Sequence, residues 1–222
     1  MKENKALLFD LDGTLLDSRE TIIEAAYRTA DELVPGVIDR AELIRCFGEP
    51  MDQFVARLVQ AAPVPLDSEV ILATYVKHVQ QLEQHGAGLF PGVADGLAAL
   101  RMAGYQMAIV TNKQRELAIR DLQRTGILHL FEQVVTLSDV QAGKPSPEML
   151  HKAMDLLGVE SGQAKMIGDS WYDWQAACTA NVPCIILDWY EGEGLVWKHI
   201  PNVECFRGFD ELLECLGTVR IS

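Results

Sequence analysis

The sequence predicts an α/β fold, a parallel sheet flanked by helices and interrupted near its start by an all-helical insertion. Three observations predict it. The strand-like run Ala6-Leu7-Leu8-Phe9 stops at Asp10-Leu11-Asp12-Gly13-Thr14, where the glycine lets the chain turn away at once. From Leu89 onward short apolar runs alternate with helical patterns, and such βαβ repetition demands parallel strands with right-handed crossovers. Nothing strand-like lies between Thr21 and Gly88, so that block interrupts the α/β pattern as an inserted domain. The expected organisation is a Rossmann-like core, with its first strand in 1–16 and its remainder in 89–222, and a helical insert at 17–88.

The elements follow in order. Asp17-Ser18 precedes a helical pattern over Arg19–Leu33, with Glu20 placed for a reciprocal N-cap and Pro35-Gly36 as the stop. Two helical stretches follow, 40–61 with an interruption at Gly48-Glu49-Pro50 and 68–84, before Gly86-Ala87-Gly88. After the insert the spacing predicts helix 93–103, strand 106–111, helix 115–125, strand 133–137, helix 147–157, strand 164–167, helix 171–180 and strand 183–187. A short run at 203–206 and a helix at 210–216 finish the sheet. No internal repeat or low-complexity segment is present.

Composition narrows the function classes. The 222 residues are 49% hydrophobic, enough for a packed core, and carry a formal net charge of −13. That balance argues against nucleic acid or an anionic membrane as partner, since either needs a basic surface. The five cysteines contain no C-x-x-C pair, so they read as small buried apolar residues rather than disulfides or a zinc site. The histidines show no ligand spacing and default to solvated or capping roles. No signal-like segment and no apolar run near ~20 residues occurs, so a cytoplasmic protein is expected.

The chemistry-bearing residues fall at predicted strand ends, where open parallel sheets bind ligands. Residues i and i+2 of a strand leave on the same side, so Asp10 and Asp12 address one centre. The run Ile109-Val110 ends in Thr111-Asn112, a hydroxyl and a backbone N–H suited to phosphate oxygens. Lys144-Pro145 follows Val134-Val135, and Met166-Ile167 ends in Gly168-Asp169-Ser170-Trp171-Tyr172-Asp173, with two aspartates at i and i+4 around a helix start. Taken singly, each has a bland reading: D-x-D as a turn, Lys144 as a surface lysine, Ser170 and Asp17-Ser18 as caps, Trp171 and Tyr172 as packing. Their ordered set does not.

D-x-D-G-T, a strand ending in Thr, Lys-Pro and G-D-x-x-x-D together resemble the haloacid dehalogenase superfamily. The insert lies where that superfamily carries its type 1 helical cap, and Phe90-Pro91-Gly92-Val93 looks like its phosphatase branch. Asn181 stands where the family often has Gly, a position that Asn tolerates. The resemblance implies that Asp10 is a nucleophile forming an aspartyl-phosphate and that Asp12 is the general acid and then base. It implies Mg²⁺ held by Asp10, the Asp12 carbonyl and Asp169, with Asp173 ordering a metal-bound water or pairing with Lys144. Thr111, Asn112 and Lys144 would bind phosphate, Lys144 also serving catalysis.

Within the family, Asp12 disfavours dehalogenation, nothing around Lys77 suggests a Schiff-base lysine, and Arg45-Cys46-Phe47-Gly48-Glu49-Pro50 lacks the usual phosphomutase cap loop. The expectation is a phosphatase resembling phosphoglycolate phosphatases, acting on a small phosphorylated substrate as a monomer or homodimer. A pyrophosphatase of the same branch is the close alternative, and a β-phosphoglucomutase-like mutase a further one. A phospho-accepting signalling domain is the alternative of another class, disfavoured because receivers are short and lack a cap. Arg19, Arg45 or Arg57 would supply a substrate-selecting cation, with closure hinged near Leu16-Asp17 and 86–88.

Overall fold

The computed structural model describes residues 6–82, 87–190, 197, 200 and 203–218. The expected C-terminal end of helix 68–84, the Gly86 pivot, His85 and His199 lie outside them. Its contacts divide the chain into two compact units, Asp17–Gly88 and the segments on either side of it.

The larger unit is built on β1 (Ala6–Phe9), β2 (Gln106–Thr111), β3 (Gln133–Thr136), β4 (Ala164–Gly168), β5 (Cys184–Leu187) and β6 (Glu204–Phe206). All pairings are parallel and the order is β3-β2-β1-β4-β5-β6. The chain builds outward from β1 to β3 on one side, then returns to β1's other edge with β4. That reversal is the topological switch point, where the carboxyl ends of β1, β2 and β4 diverge and leave a crevice.

Helices α5 (Val93–Met102), α6 (Arg115–Arg124), α7 (Glu148–Leu157), α8 (Trp171–Ala180) and α9 (Phe209–Cys215) cover the sheet. Here α9 is the helix expected at 210–216. Both faces of β1 are buried, which is why it reads as an unbroken apolar run. Ala6 and Leu8 pack with Met149, Leu150 and Ala153 of α7 and Ala176, Ala177 and Ala180 of α8. Phe9, pointing the other way, lies against Phe131 edge-on and Phe209 stacked, each at 6.2 Å between ring centroids. Gly96 in α5 permits that face to close: a Cβ there would come within 2.3 Å of the Phe209 ring. Helix α8 ends on Asn181 at φ 55°, the left-handed position that the sequence places there.

The smaller unit consists of α1 (Arg19–Leu33), α2 (Arg40–Arg45), α3 (Met51–Ala61) and α4 (Ser68–Leu82) around a core that includes Ile23, Ala30, Leu43, Phe54, Leu58 and Ile71. Two expectations fail here. No side-chain cap forms at Ser18; Glu20 instead meets Arg40, so the reciprocal box is replaced by an ion pair to the next helix. His78 is buried rather than solvated, its Nε2 within 2.9 Å of Glu32 Oε2. The cysteine reading also needs correction. Only Cys184 is buried, whereas Cys178, Cys205 and Cys215 are exposed and Cys46 is intermediate. Among the described residues no helix is long and apolar enough to cross a membrane.

Candidate active site

The four sequence motifs converge at the switch point. Asp10 continues β1 by one hydrogen bond, its N–H donating to the Ile167 carbonyl at 2.9 Å, and is 7% exposed. The chain then leaves the sheet through Gly13 at φ 84°, a conformation that favours glycine. It turns back through Leu15 and Leu16 N–H bonds to the Leu11 carbonyl. Trp189 pins the turn from β5's side, its indole N–H donating to the Thr14 carbonyl at 3.0 Å while its ring stacks on Phe90 at 4.3 Å.

Lys144 is 2% exposed and its Nζ donates to Asp10 Oδ1 at 2.7 Å and Asp173 Oδ1 at 2.5 Å. Burial opposes its charge, but Asp10 and Asp173 outweigh that and hold the ammonium well above the usual lysine range. Its backbone is clamped by Asn112, whose Oδ1 accepts from Lys144 N–H at 2.8 Å and whose Nδ2 donates to the Lys144 carbonyl at 2.9 Å. A Cβ on Gly143 would lie 2.5 Å from that Oδ1, so the clamp needs glycine beside it. The Asn112 side chain therefore positions the lysine loop, a contact that the motif pattern alone does not reveal.

Asp173 enters from the first turn of α8. Its Oδ2 accepts from Ser170 Oγ at 2.6 Å, Ser170 N–H at 3.0 Å and Asp169 N–H at 3.3 Å, while Ser170 Oγ accepts from Asp173 N–H at 3.4 Å. This capping box aims the carboxylate at Lys144. Gly168 makes room for it, since a Cβ there would meet Asp173 Cγ at 2.4 Å. Asp173 pairs with Lys144, as one of the two expectations for it has it. Trp171 projects outward, 48% exposed, and leans on Trp174 at 4.4 Å.

Asp10, Asp169 and Asp173 each place a carboxylate oxygen within 4.8 Å of the others. Thr14 Oγ lies 3.0 Å from Asp169 Oδ1 and 3.3 Å from Asp10 Oδ2, so one hydroxyl proton stands between two carboxylates. Burial, with the charge of Asp173, pushes the Asp10 carboxyl up to about 7 despite Lys144. Burial and the neighbouring Asp10 and Asp173 charges drive Asp169 well above the usual carboxylate range. Hard oxygens with unmatched negative charge are a donor set for a divalent cation such as Mg²⁺. The carboxylate oxygens of Asp10, Asp169 and Asp173 therefore fit one.

Asp12 is held apart from this cluster. Its Oδ1 accepts from Lys113 Nζ at 3.0 Å, and the same ammonium pairs with Asp121 of α6 at 2.6 Å. Asp10 and Asp12 thus lie on one loop but are tied to different lysines, a division that the i, i+2 argument did not contain. Thr111 is 2% exposed and its Oγ accepts from Lys113 N–H at 3.2 Å, so the hydroxyl also braces the loop after β2. Sequence reasoning missed Thr14, Lys113 and Asp121. Thr14 is the last letter of the quoted motif and Lys113 adjoins Thr111-Asn112; Asp121 carried no signal. Of the cap cations, Arg57 is engaged within its own unit by Glu49, Glu42 and the Cys46 sulfur. Burial there pushes the Glu49 carboxyl to about 7 in spite of Arg57.

A parallel sheet with a buried carboxylate, a buried lysine and an acidic cluster at its switch point is suited to phosphoryl chemistry. The chain belongs to the haloacid dehalogenase-like hydrolase family, whose model matches residues 7–187. It is 33% identical over 216 residues to pyrophosphatase PpaX of Halalkalibacterium halodurans, covering 97% of this chain and 98% of that one. It is 36% identical over 192 residues to a plasmid phosphoglycolate phosphatase of Cupriavidus necator, covering 85% and 83%. The crystal structure of a predicted phosphoglycolate phosphatase from Haemophilus somnus 129PT superposes with a TM-score of 0.82 at 23% identity, covering 97% and 99%, a likeness of fold.

Proposed function

We propose that this enzyme hydrolyses a small phosphomonoester, phosphoglycolate or a molecule like it, in two steps through an aspartyl-phosphate on Asp10. The observation that carries the proposal is the division of the carboxylate pair. Asp10 is buried with one oxygen on Lys144, whereas Asp12 sits on the same turn with its own lysine. One is placed to attack and the other to move a proton. Asp10 displaces the leaving oxygen, which takes a proton from Asp12. Asp12, now ionised, accepts a proton from the water that releases phosphate. Lys144 offsets charge on the transferring group and the loop from Thr111 to Asn112 offers further donors.

Mg²⁺ would be held by Asp10, the Asp12 carbonyl and Asp169, and would supply positive charge that lets an anionic phosphate approach these carboxylates. Asp173 serves that cluster through Lys144. Pyrophosphate is the second reading, favoured by the relative named pyrophosphatase that matches nearly end to end.

The test is kcat/KM with Mg²⁺ for phosphoglycolate, pyrophosphate, sugar phosphates and nucleotides. A preference of at least about tenfold for phosphoglycolate supports the first reading. A similar preference for pyrophosphate replaces it with the second, and no Mg²⁺-dependent turnover of any phosphate contradicts both.

The raised carboxyls give a separate expectation. Asp10 keeps its proton to about pH 7 in the fold, against 3.8 for an ordinary aspartate, and Asp169 is shifted the same way. The folded state therefore binds more protons than the unfolded chain between these values, so metal-free stability falls as pH rises through that window. A cation replaces those protons. The rise in Tm on adding about 5 mM Mg²⁺ should be larger at pH 8 than at pH 5 by several degrees, read by differential scanning fluorimetry. An equal or larger rise at pH 5 would place the cation elsewhere.

A further inference from the structure

Lys113 lies in a bridge that mirrors the one made by Lys144. Lys144 ties Asp10 to Asp173 on α8, the helix after β4. On the other side of β1, Lys113 ties Asp12 to Asp121 on α6, the helix after β2. The Lys113 side chain is 11% exposed and that of Asp121 is 1% exposed, among the buried Ala118 and Leu122. An ionised carboxylate on that inner helix face gives up hydration that an aliphatic side chain would not, so fold stability alone is a poor account of it. Its Oδ1 is also approached by Arg124 at 3.5 Å and Arg120 at 3.6 Å, so the anion is anchored on both sides. The lysine is fixed at its backbone as well, through its N–H bond to Thr111 Oγ.

We propose that Lys113, anchored by Asp121, is a positioning residue that fixes the Asp12 carboxyl for proton transfer to the leaving group. The proposal rests on the reading of Asp12 as general acid. In the step concerned the Asp10–phosphorus bond forms, the bond from phosphorus to the leaving oxygen breaks, and the Asp12 proton passes to that oxygen. An alkyl ester needs that proton because its alkoxide is a poor leaving group. p-Nitrophenyl phosphate does not, because its phenolate leaves as a stable anion. The effect of Lys113 therefore depends on the class of ester, whereas a merely structural tie would act on both alike.

The test compares kcat/KM, which reports steps up to release of the leaving group, for p-nitrophenyl phosphate and for the better of phosphoglycolate and glycerol 3-phosphate, with Mg²⁺. Asp12→Asn calibrates the assay and should lose the alkyl ester selectively. Lys113→Met/Asp121→Leu removes the lysine together with its anchor, so Asp121 is not left as a buried carboxylate without the ammonium and Asp12 alone loses its tie. It should lower the alkyl ester about tenfold or more relative to the aryl ester. Asp121→Asn should shift the ratio in the same direction by less, and Lys113→Arg should recover part of it. Equal losses on both esters, or none, in these variants while Asp12→Asn discriminates would overturn the role of Lys113 alone. If Asp12→Asn itself fails to discriminate, the acid assignment falls and the role of Lys113 with it.

Discussion

Asp10→Asn is expected to lower kcat by at least about 10⁴-fold while raising the Tm of the metal-free protein at pH 8. The two effects have one cause. The carboxylate that the proposed reaction needs as a nucleophile is buried at 7% exposure beside Asp169 and Asp173, and its ionised form is disfavoured up to about pH 7. A neutral amide of nearly the same shape keeps an oxygen for Lys144 and removes the repulsion. At pH 5, where Asp10 already holds its proton in the fold, the gain in Tm should shrink. Steady-state turnover and thermal unfolding at the two pH values check both halves. A variant that stays near wild-type kcat would remove Asp10 from the nucleophile role.

Lys144→Met should be the most damaging single change to stability within the site. The ammonium is buried and bonds two carboxylates, so its loss leaves Asp10, Asp169 and Asp173 without that counter-charge. Removing one partner of a buried pair typically costs about 3–5 kcal/mol, to be read from urea denaturation at pH 7.5. Turnover should fall by about 10³-fold as the charge facing the transferring group disappears. Added Mg²⁺ should recover part of the stability and little of the activity. A stability loss under about 1 kcal/mol would mean that the carboxylates are satisfied without the lysine.

The fold was legible because parallel strands buried on both faces are written as apolar runs. Ala6-Leu7-Leu8-Phe9 and Met107 to Val110 read as such strands beside helical periodicity; β1 and β2 have their expected bounds, and each of the other strands differs by one residue at one end. Asp10, Lys144, Asp169 and Asp173 were legible for the same reason: each follows the end of such a run or a short motif. Lys113 and Asp121 were not. Their meaning depends on a helix bringing one buried face back over the loop before it, which no spacing rule reports. The reciprocal cap expected at Asp17-Ser18 does not form at Ser18, and Glu20 meets Arg40 of the next helix, a contact that local spacing does not report. His78 likewise meets Glu32 of another helix, and Cys178, Cys205 and Cys215 lie on solvent-facing positions of α8, β6 and α9.

A covalent intermediate at Asp10 is the central step of the proposed reaction. In Asp12→Asn, phosphoenzyme formation from p-nitrophenyl phosphate should proceed while its hydrolysis is slowed, so the intermediate accumulates. Acid quench during turnover, borohydride reduction and peptide mass spectrometry should then find homoserine at position 10. Continued turnover with unmodified Asp10, or modification at another residue, would contradict the account.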